Sequence, residues 1–163
     1  MAQALKKTKR SLAVSCLYLV VAVALTYPLV GKFTTTIVGR SHDHEEATFS
    51  WSLWWTRFSL LELHQNPFTT DYVFAPFTVD LRMHNFAPLY GLLSIPVQPL
   101  WGAAGALNAL ILITVALNGY TVYLLAREVL EDDAGALIAG TLVAAGPALT
   151  FHLRAGKPSF AAV

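Results

Sequence analysis

The chain has 163 residues, of which 55% are hydrophobic and 13% charged, and its formal net charge is +1. Soluble globular domains carry about 25% charged residues. The deficit, together with a mean hydropathy of +0.53, therefore indicates an integral membrane protein. The near-zero net charge gives no basic excess that would favour nucleic acid as a partner. The single cysteine, Cys16, excludes a disulfide framework.

The first apolar segment predicts a transmembrane helix over 11–31. None of its 21 positions is charged, and about 20 residues span a bilayer core. The preceding segment, 1–10, is basic. It is predicted to be cytoplasmic, because lysine and arginine residues next to a transmembrane helix are more frequent on the cytoplasmic side. A cleaved signal peptide is the alternative, supported by the small residues Ala22-Val23-Ala24. The length of the apolar run favours an uncleaved anchor.

A second charge-poor segment covers the 44 residues of 83–126. As one helix it would be about 66 Å long, twice the thickness of a bilayer core, so it must break. Pro88, Pro96 and Pro99 lie in its first half. We therefore predict a short interface helix at about 86–101 and a transmembrane helix over 103–126.

A third transmembrane helix is predicted over 134–151, with a kink at Gly146-Pro147. The segments between the spans then form an outer loop, 32–102, and a cytoplasmic turn, 127–133. Residues 152–163 form a further outer segment. The predicted fold is an all-α, multi-pass protein of the inner (plasma) membrane, with amphipathic interface helices in its first outer loop. The apolar ending predicts that the chain is the N-terminal part of a longer protein.

Within the outer loop, a helix is predicted over about 45–64. Its apolar positions recur at spacings of three and four, which is the helical period. They are Ala47, Trp51, Trp54, Phe58 and Leu61, with Trp55 beside them. Tryptophans on this face suit either the lipid headgroup level or packing against the spans. Asn66-Pro67 is predicted to end this helix, because the residue before a proline avoids the helical conformation. The stretch 68–81 is predicted to be irregular, with Pro76 as a further breaker.

The densest group of possible bases and ligands is the run His42-Asp43-His44-Glu45-Glu46, here called the acid-rich segment. A carboxylate here could act as a general base on an acceptor hydroxyl. A divalent cation is the second interpretation, with His42, His44, Glu45 and Glu46 as alternative ligands. The spacing matches no dedicated metal motif, so no cofactor is assigned. Helix capping is the third interpretation, and composition alone favours it.

Basic residues in the predicted outer segments are candidates for binding the phosphate of a substrate. They are Arg82, His152, Arg154 and Lys157. Anchoring at the membrane interface explains the same residues equally well. Asn108 and Asn118 lie inside the second span, where polar groups usually bond neighbouring helices.

The order of short motifs along the chain resembles one family of membrane enzymes. These motifs are Tyr27-Pro28-Leu29, Gly39-x-x-x-Asp43, Trp51-x-Leu53-Trp54-Trp55, Asn66-Pro67-Phe68-x-Thr70-Asp71, Phe74-x-Pro76, Pro88-Leu89-Tyr90 and Tyr123-Leu124-Leu125-Ala126-Arg127. The pattern is similar to the N-terminal portion of bacterial multi-spanning GT-C type glycosyltransferases, relatives of the protein mannosyltransferases and aminoarabinose transferases.

This resemblance implies transfer of a sugar from a polyprenyl-phosphate donor on the outer membrane face. It also implies a catalytic carboxylate in the first outer loop, at the position of Asp43. The family often has a second acid just after the loop glycine, where this chain has Arg40. The alternative function is a non-catalytic polytopic membrane protein, such as a transporter, a carrier or an assembly subunit.

Overall fold

The computed structural model of the chain describes residues 2–39 and 45–155, and this part is mainly helical. Its six α-helices are α1 (Ala2–Leu25), α2 (Glu45–Leu61), α3 (Pro88–Ser94), α4 (Gln98–Leu130), α5 (Asp133–Ala144) and α6 (Pro147–Arg154). Two short strands, β1 (Thr69–Thr70) and β2 (Val79–Asp80), pair antiparallel, with Thr69 opposite Asp80. The predicted irregular stretch 68–81 thus contains a small hairpin, because Pro76 falls in its turn rather than in a strand.

The structure confirms three helical segments that are long and apolar enough to cross a membrane. They are Thr8–Leu25, Gln98–Leu130 and Asp133–Arg154. The first helix ends at Leu25, six residues before the predicted boundary at 31. Pro28 explains the difference, since it has no N–H to continue the helical hydrogen bonds. A short 3-10 helix, Leu29–Lys32, follows it.

The second span is longer than its predicted bounds of 103–126, and the interface helix before it is shorter than 86–101. Helix α3 stops at Ser94, where Pro96 cannot supply the next hydrogen bond. Helix α4 begins at Gln98 but is interrupted at Gly102, whose φ of 67° and ψ of −179° are not helical. The break at Gly102 therefore separates the first turn of α4 from its long apolar part. The third span is divided at Gly146-Pro147, as the sequence predicts.

Helix α2 ends at Leu61 rather than at 64, and His64 just beyond it has a left-handed backbone with φ of 52°. The face of α2 that is buried differs from the apolar stripe that the sequence predicts. The buried residues are Phe49, Ser52, Leu53, Trp55, Thr56 and Ser59, while Ala47 and Leu61 are exposed. Small hydroxyl residues allow the close approach of another helix. Thr56 indeed lies where a side chain at Gly91 of α3 would have to fit.

The core joins α1, α4 and α5 around the fully buried side chain of Tyr18. A Cβ atom added at Gly119 of α4 would lie 2.6 Å from Cδ1 of Tyr18. At Gly140 of α5, an added Cβ would lie 2.7 Å from Cζ of the same ring. The Tyr18 hydroxyl donates to the carbonyl oxygen of Leu137 at 3.1 Å. The two glycines therefore provide the space in which this tyrosine packs.

One end of this bundle is held together by charges. Asp133, in the first turn of α5, pairs with Arg10 of α1 and with Arg127 of α4, the latter at 3.3 Å. The Arg10 Nε donates to the Tyr123 hydroxyl at 3.1 Å. Asp132 caps α5 by accepting from the backbone N–H of Gly135 at 2.6 Å. The charge run in the predicted turn 127–133 thus connects the end of α4 and the start of α5 to α1.

We expect Gly119→Ala to destabilise the protein by about 1–3 kcal/mol, because the new methyl group must displace the buried ring of Tyr18. Thermal unfolding in detergent measures this effect. Gly31→Ala is the matched control, since its added Cβ meets no atom within 4 Å. The Gly119→Ala penalty should nearly disappear in a Tyr18→Ala background. An equal penalty in both backgrounds would contradict this packing.

Candidate functional site

The segment 40–44, which carries Asp43, lies outside the described residues, but the chain on each side of it is held by α4. Two buried amide side chains of this helix make the connections. Asn108 binds the residues that precede the segment, and Gln98 binds the helix that follows it. The acid-rich segment therefore extends between two attachments to one helix.

Asn108 is fully buried and donates two hydrogen bonds from its Nδ2. The acceptors are the carbonyl oxygens of Phe33, at 2.7 Å, and Thr36, at 2.6 Å. Both lie in the segment that follows α1 rather than in a neighbouring helix, so the predicted partner of Asn108 was wrong. A turn that leaves a helix has free carbonyl groups, and a buried amide can satisfy them. Asn108 thus fixes the path from α1 towards Gly39.

Gln98 is 7% exposed and performs the corresponding role on the other side. Its Nε2 donates to the carbonyl oxygen of Leu53 in α2 and to the hydroxyl oxygen of Ser94 in α3, both at 2.8 Å. Buried polar groups that are satisfied in this way specify one arrangement of the helices. The start of α4 is therefore fixed against the middle of α2.

A pocket of about 320 Å³ opens beside the upstream attachment. Two cations, Lys32 and Arg154, line it together with Gly39, the last described residue before the acid-rich segment. The remaining lining residues are Leu25, Thr26, Tyr27, Pro28, Leu29, Thr36, Ile37 and Val38. The pocket thus combines two positive charges with an apolar wall. Such a combination suits an anionic head group attached to an apolar chain.

The structure brings one predicted site residue, Arg154, to this pocket. His152 precedes it by two residues but is not among the lining residues, and its ring packs against Phe151 at 5.5 Å. Lys157 and Asp43 lie outside the described residues, so their predicted roles stay predictions. Lys32 was not predicted as a site residue. Its only signal in the sequence is its position as the first charge after the apolar run.

Arg82, the other predicted phosphate partner, is engaged elsewhere. Its Nε lies 3.0 Å from both carboxylate oxygens of Asp80, and its Nη2 lies 2.5 Å from Oδ2. The hydrogen bonds from the Arg82 side chain, followed by its backbone N–H, lower the pKa of Asp80 to about 2. The same contact raises the pKa of Arg82. Arg82 is absent from the lining of the pocket that holds Arg154.

Glu45 and Glu46 lie in the first turn of α2, where the partial positive charge of the helix end stabilises carboxylates. This position fits the capping interpretation of the acid-rich segment. His42 and His44, the other alternative metal ligands, lie outside the described residues. Within 2–39 and 45–155, no three histidine, cysteine, aspartate or glutamate residues are grouped closely enough to hold a metal ion.

We predict that the Asp80 carboxyl titrates near pH 2 and that Arg82→Gln moves its midpoint up towards the ordinary value of 3.8. Because the folded-state pKa is lowered, the pair stabilises the fold above about pH 4 and loses that effect as the pH falls towards 2. Carboxyl ¹³C NMR of labelled aspartate measures the midpoint. Arg57→Gln is the control, since Arg57 pairs with Glu62. An unchanged midpoint in Arg82→Gln would contradict this assignment.

Comparison with known proteins gives no family for this chain. No protein-family model matches it. No curated protein matches it, and no solved structure does. The resemblance to GT-C type glycosyltransferases therefore stays a prediction from short motifs.

Proposed function

We propose that this chain is part of a membrane glycosyltransferase that moves a sugar from a polyprenyl-phosphate donor to an acceptor on the outer membrane face. The observation that carries the proposal is the pocket shared by Lys32, Arg154 and Gly39. It combines two cations and an apolar wall with the chain that leads, four residues later, to Asp43. A lipid phosphate needs the first two features, and sugar transfer needs a base close to them.

In the proposed reaction, an acceptor hydroxyl attacks the anomeric carbon of the donor sugar. The bond between that carbon and the phosphate oxygen breaks, and the lipid phosphate leaves with the electron pair. The carboxylate of Asp43 takes the proton of the acceptor hydroxyl. Lys32 and Arg154 stabilise the charge that grows on the departing phosphate. Because phosphate is already a good leaving group, the reaction requires no strong general acid.

The orientation is part of the proposal. Lys6, Lys7 and Lys9 accompany Arg10 before the first span, so this end of the bundle is placed in the cytoplasm. Arg127 and Asp133 lie at the same end, because both belong to the ion cluster with Arg10. The pocket with Lys32 and Arg154 is formed at the opposite ends of α1 and of the third span. This arrangement supports the proposal that the pocket is on the outer face of the inner membrane.

In the full-length protein, Asp43→Asn should lower kcat for sugar transfer by about 10²- to 10⁴-fold, since the amide cannot accept the acceptor's proton. Transfer from a labelled polyprenyl-phosphate sugar in proteoliposomes measures the effect. Asp71→Asn, at an exposed acid of the same predicted loop, is the matched control. Activity retained in Asp43→Asn, at normal expression and membrane insertion, would exclude the role assigned to Asp43.

Lys32→Gln and Arg154→Gln should each reduce kcat/KM for the donor by about 10- to 100-fold, because each removes a charged partner of the phosphate. KM for the acceptor should change little. Arg57→Gln removes a cation outside the pocket, which pairs with Glu62 at 3.1 Å, and serves as the control. Equal effects of all three substitutions would indicate a general charge effect instead of a phosphate site.

Cysteine labelling in intact cells tests the orientation. In a Cys16→Ala background, a cysteine replacing Gln65 should react with a membrane-impermeant maleimide. A cysteine replacing Glu128 should react only after the membrane is permeabilised, since both positions are exposed but are proposed to lie on opposite sides. The reverse pattern would invert the proposed topology.

A further inference from the structure

The hairpin that connects β1 to β2 exposes an unusual amount of apolar surface. Phe77 is 74% exposed, Phe74 is 56% exposed and Tyr72 is 54% exposed. Val73 beside them is also exposed, and Met83, just after the hairpin, is 91% exposed. Several exposed apolar side chains in one short segment are candidates for a surface that binds a partner or a membrane.

The base of the hairpin is firmly attached to α2, so the exposed tip is part of an ordered element. The indole Nε1 of Trp55 donates to the carbonyl oxygen of Pro67 at 2.9 Å. The Tyr72 ring packs against Trp55 and Phe58, with ring centroids 5.2 Å and 5.8 Å apart. The backbone N–H of Leu81 donates to the carbonyl oxygen of Phe68 at 2.8 Å.

Charge is separated from apolar surface along the hairpin. The eight residues from Tyr72 to Val79 include no charged side chain. Asp80 and Arg82 follow at the base, where their side chains form an ion pair. An apolar, aromatic tip with a charged base is the distribution found in elements that lie in the interfacial layer of a bilayer.

The contacts of α2 connect the hairpin to the start of the second candidate span. Gln98 connects α2, the helix on which the hairpin rests, to the first turn of α4. This turn ends at the Gly102 break, immediately before the long apolar part of the second span. Leu100 and Trp101 in the same turn are exposed as well. A bilayer surface at this break would lie beside the helix that carries the hairpin.

We propose that the tip of this hairpin, residues 73–78, inserts into the interfacial layer of the phospholipid bilayer that surrounds the spans. Phe74 and Phe77 lie below the headgroups, and the Asp80–Arg82 pair lies among them. This contact is additional to the three spans and independent of the proposed glycosyltransferase activity. It holds α2, and with it the downstream end of the acid-rich segment, at the membrane surface.

Depth-dependent fluorescence quenching tests the proposal in the full chain reconstituted in phosphatidylcholine nanodiscs. In a Cys16→Ala background, Val73→Cys carries an environment-sensitive fluorophore, and Gln65→Cys carries the same fluorophore as the control, since Gln65 is exposed in a polar stretch after α2. Lipids with a nitroxide high on the acyl chain should quench the probe at 73 several-fold more than the probe at 65. Aqueous iodide should show the opposite order.

A second pair of variants separates insertion from accidental proximity. Replacing Phe74 and Phe77 together by serine should reduce lipid quenching of the probe at 73 to the level at 65. Leu61→Ser, which removes a half-exposed apolar side chain outside the hairpin, should leave it unchanged. Equal lipid quenching at 73 and 65 would overturn the proposal. A probe at 73 shielded from both quenchers would also overturn it, since protein would then cover the tip.

Discussion

The packing of Tyr18 between two glycines is the contact on which the arrangement of the three spans depends. Its ring is completely buried and occupies the space left by Gly119 on α4 and Gly140 on α5. Within lipid, apolar side chains gain little by leaving one hydrocarbon environment for another, so helices associate through close van der Waals packing and buried hydrogen bonds. The Tyr18 hydroxyl adds such a bond to the Leu137 carbonyl. With α1 held in this way, its end at Leu25 and the end of the third span at Arg154 line one pocket.

Helix α4 also fixes the position of the chain between α1 and α3. Asn108 holds the turn after α1, and Gln98 holds α2, so the two sides of the acid-rich segment are attached to the same helix. The proposed chemistry requires such attachment because a general base must stay within hydrogen-bond reach of its substrate. A loop tethered only by its own backbone would not keep a carboxylate beside the phosphate of a lipid. The proposed insertion of the hairpin would add a third attachment, through the membrane itself.

The spans were predictable because they depend only on the order of residues along the chain, and not on contacts between distant residues. Charge-free length and proline position are sufficient to predict three apolar helices and the break at Gly146-Pro147. The buried face of α2 was not predictable in this way, because it combines large apolar residues with small hydroxyl residues. Phe49, Leu53 and Trp55 are buried, as the usual rule expects. Ser52, Thr56 and Ser59 are buried as well, and Thr56 lies against Gly91 of α3. Lys32 was missed for a different reason. It lines the same pocket as Arg154 only because helices that are far apart in the chain pack together.

In the proposed function, the cations at one end of the bundle bind the phosphate of a lipid donor. An experimental structure of the full-length protein with a bound polyprenyl phosphate tests this most directly. We expect the phosphate to lie within hydrogen-bond distance of Lys32 Nζ and the Arg154 guanidinium, with the start of the lipid chain against the apolar wall beside Leu29. A phosphate bound instead at the opposite end, by Arg10 and Arg127, would contradict both the site and the proposed orientation.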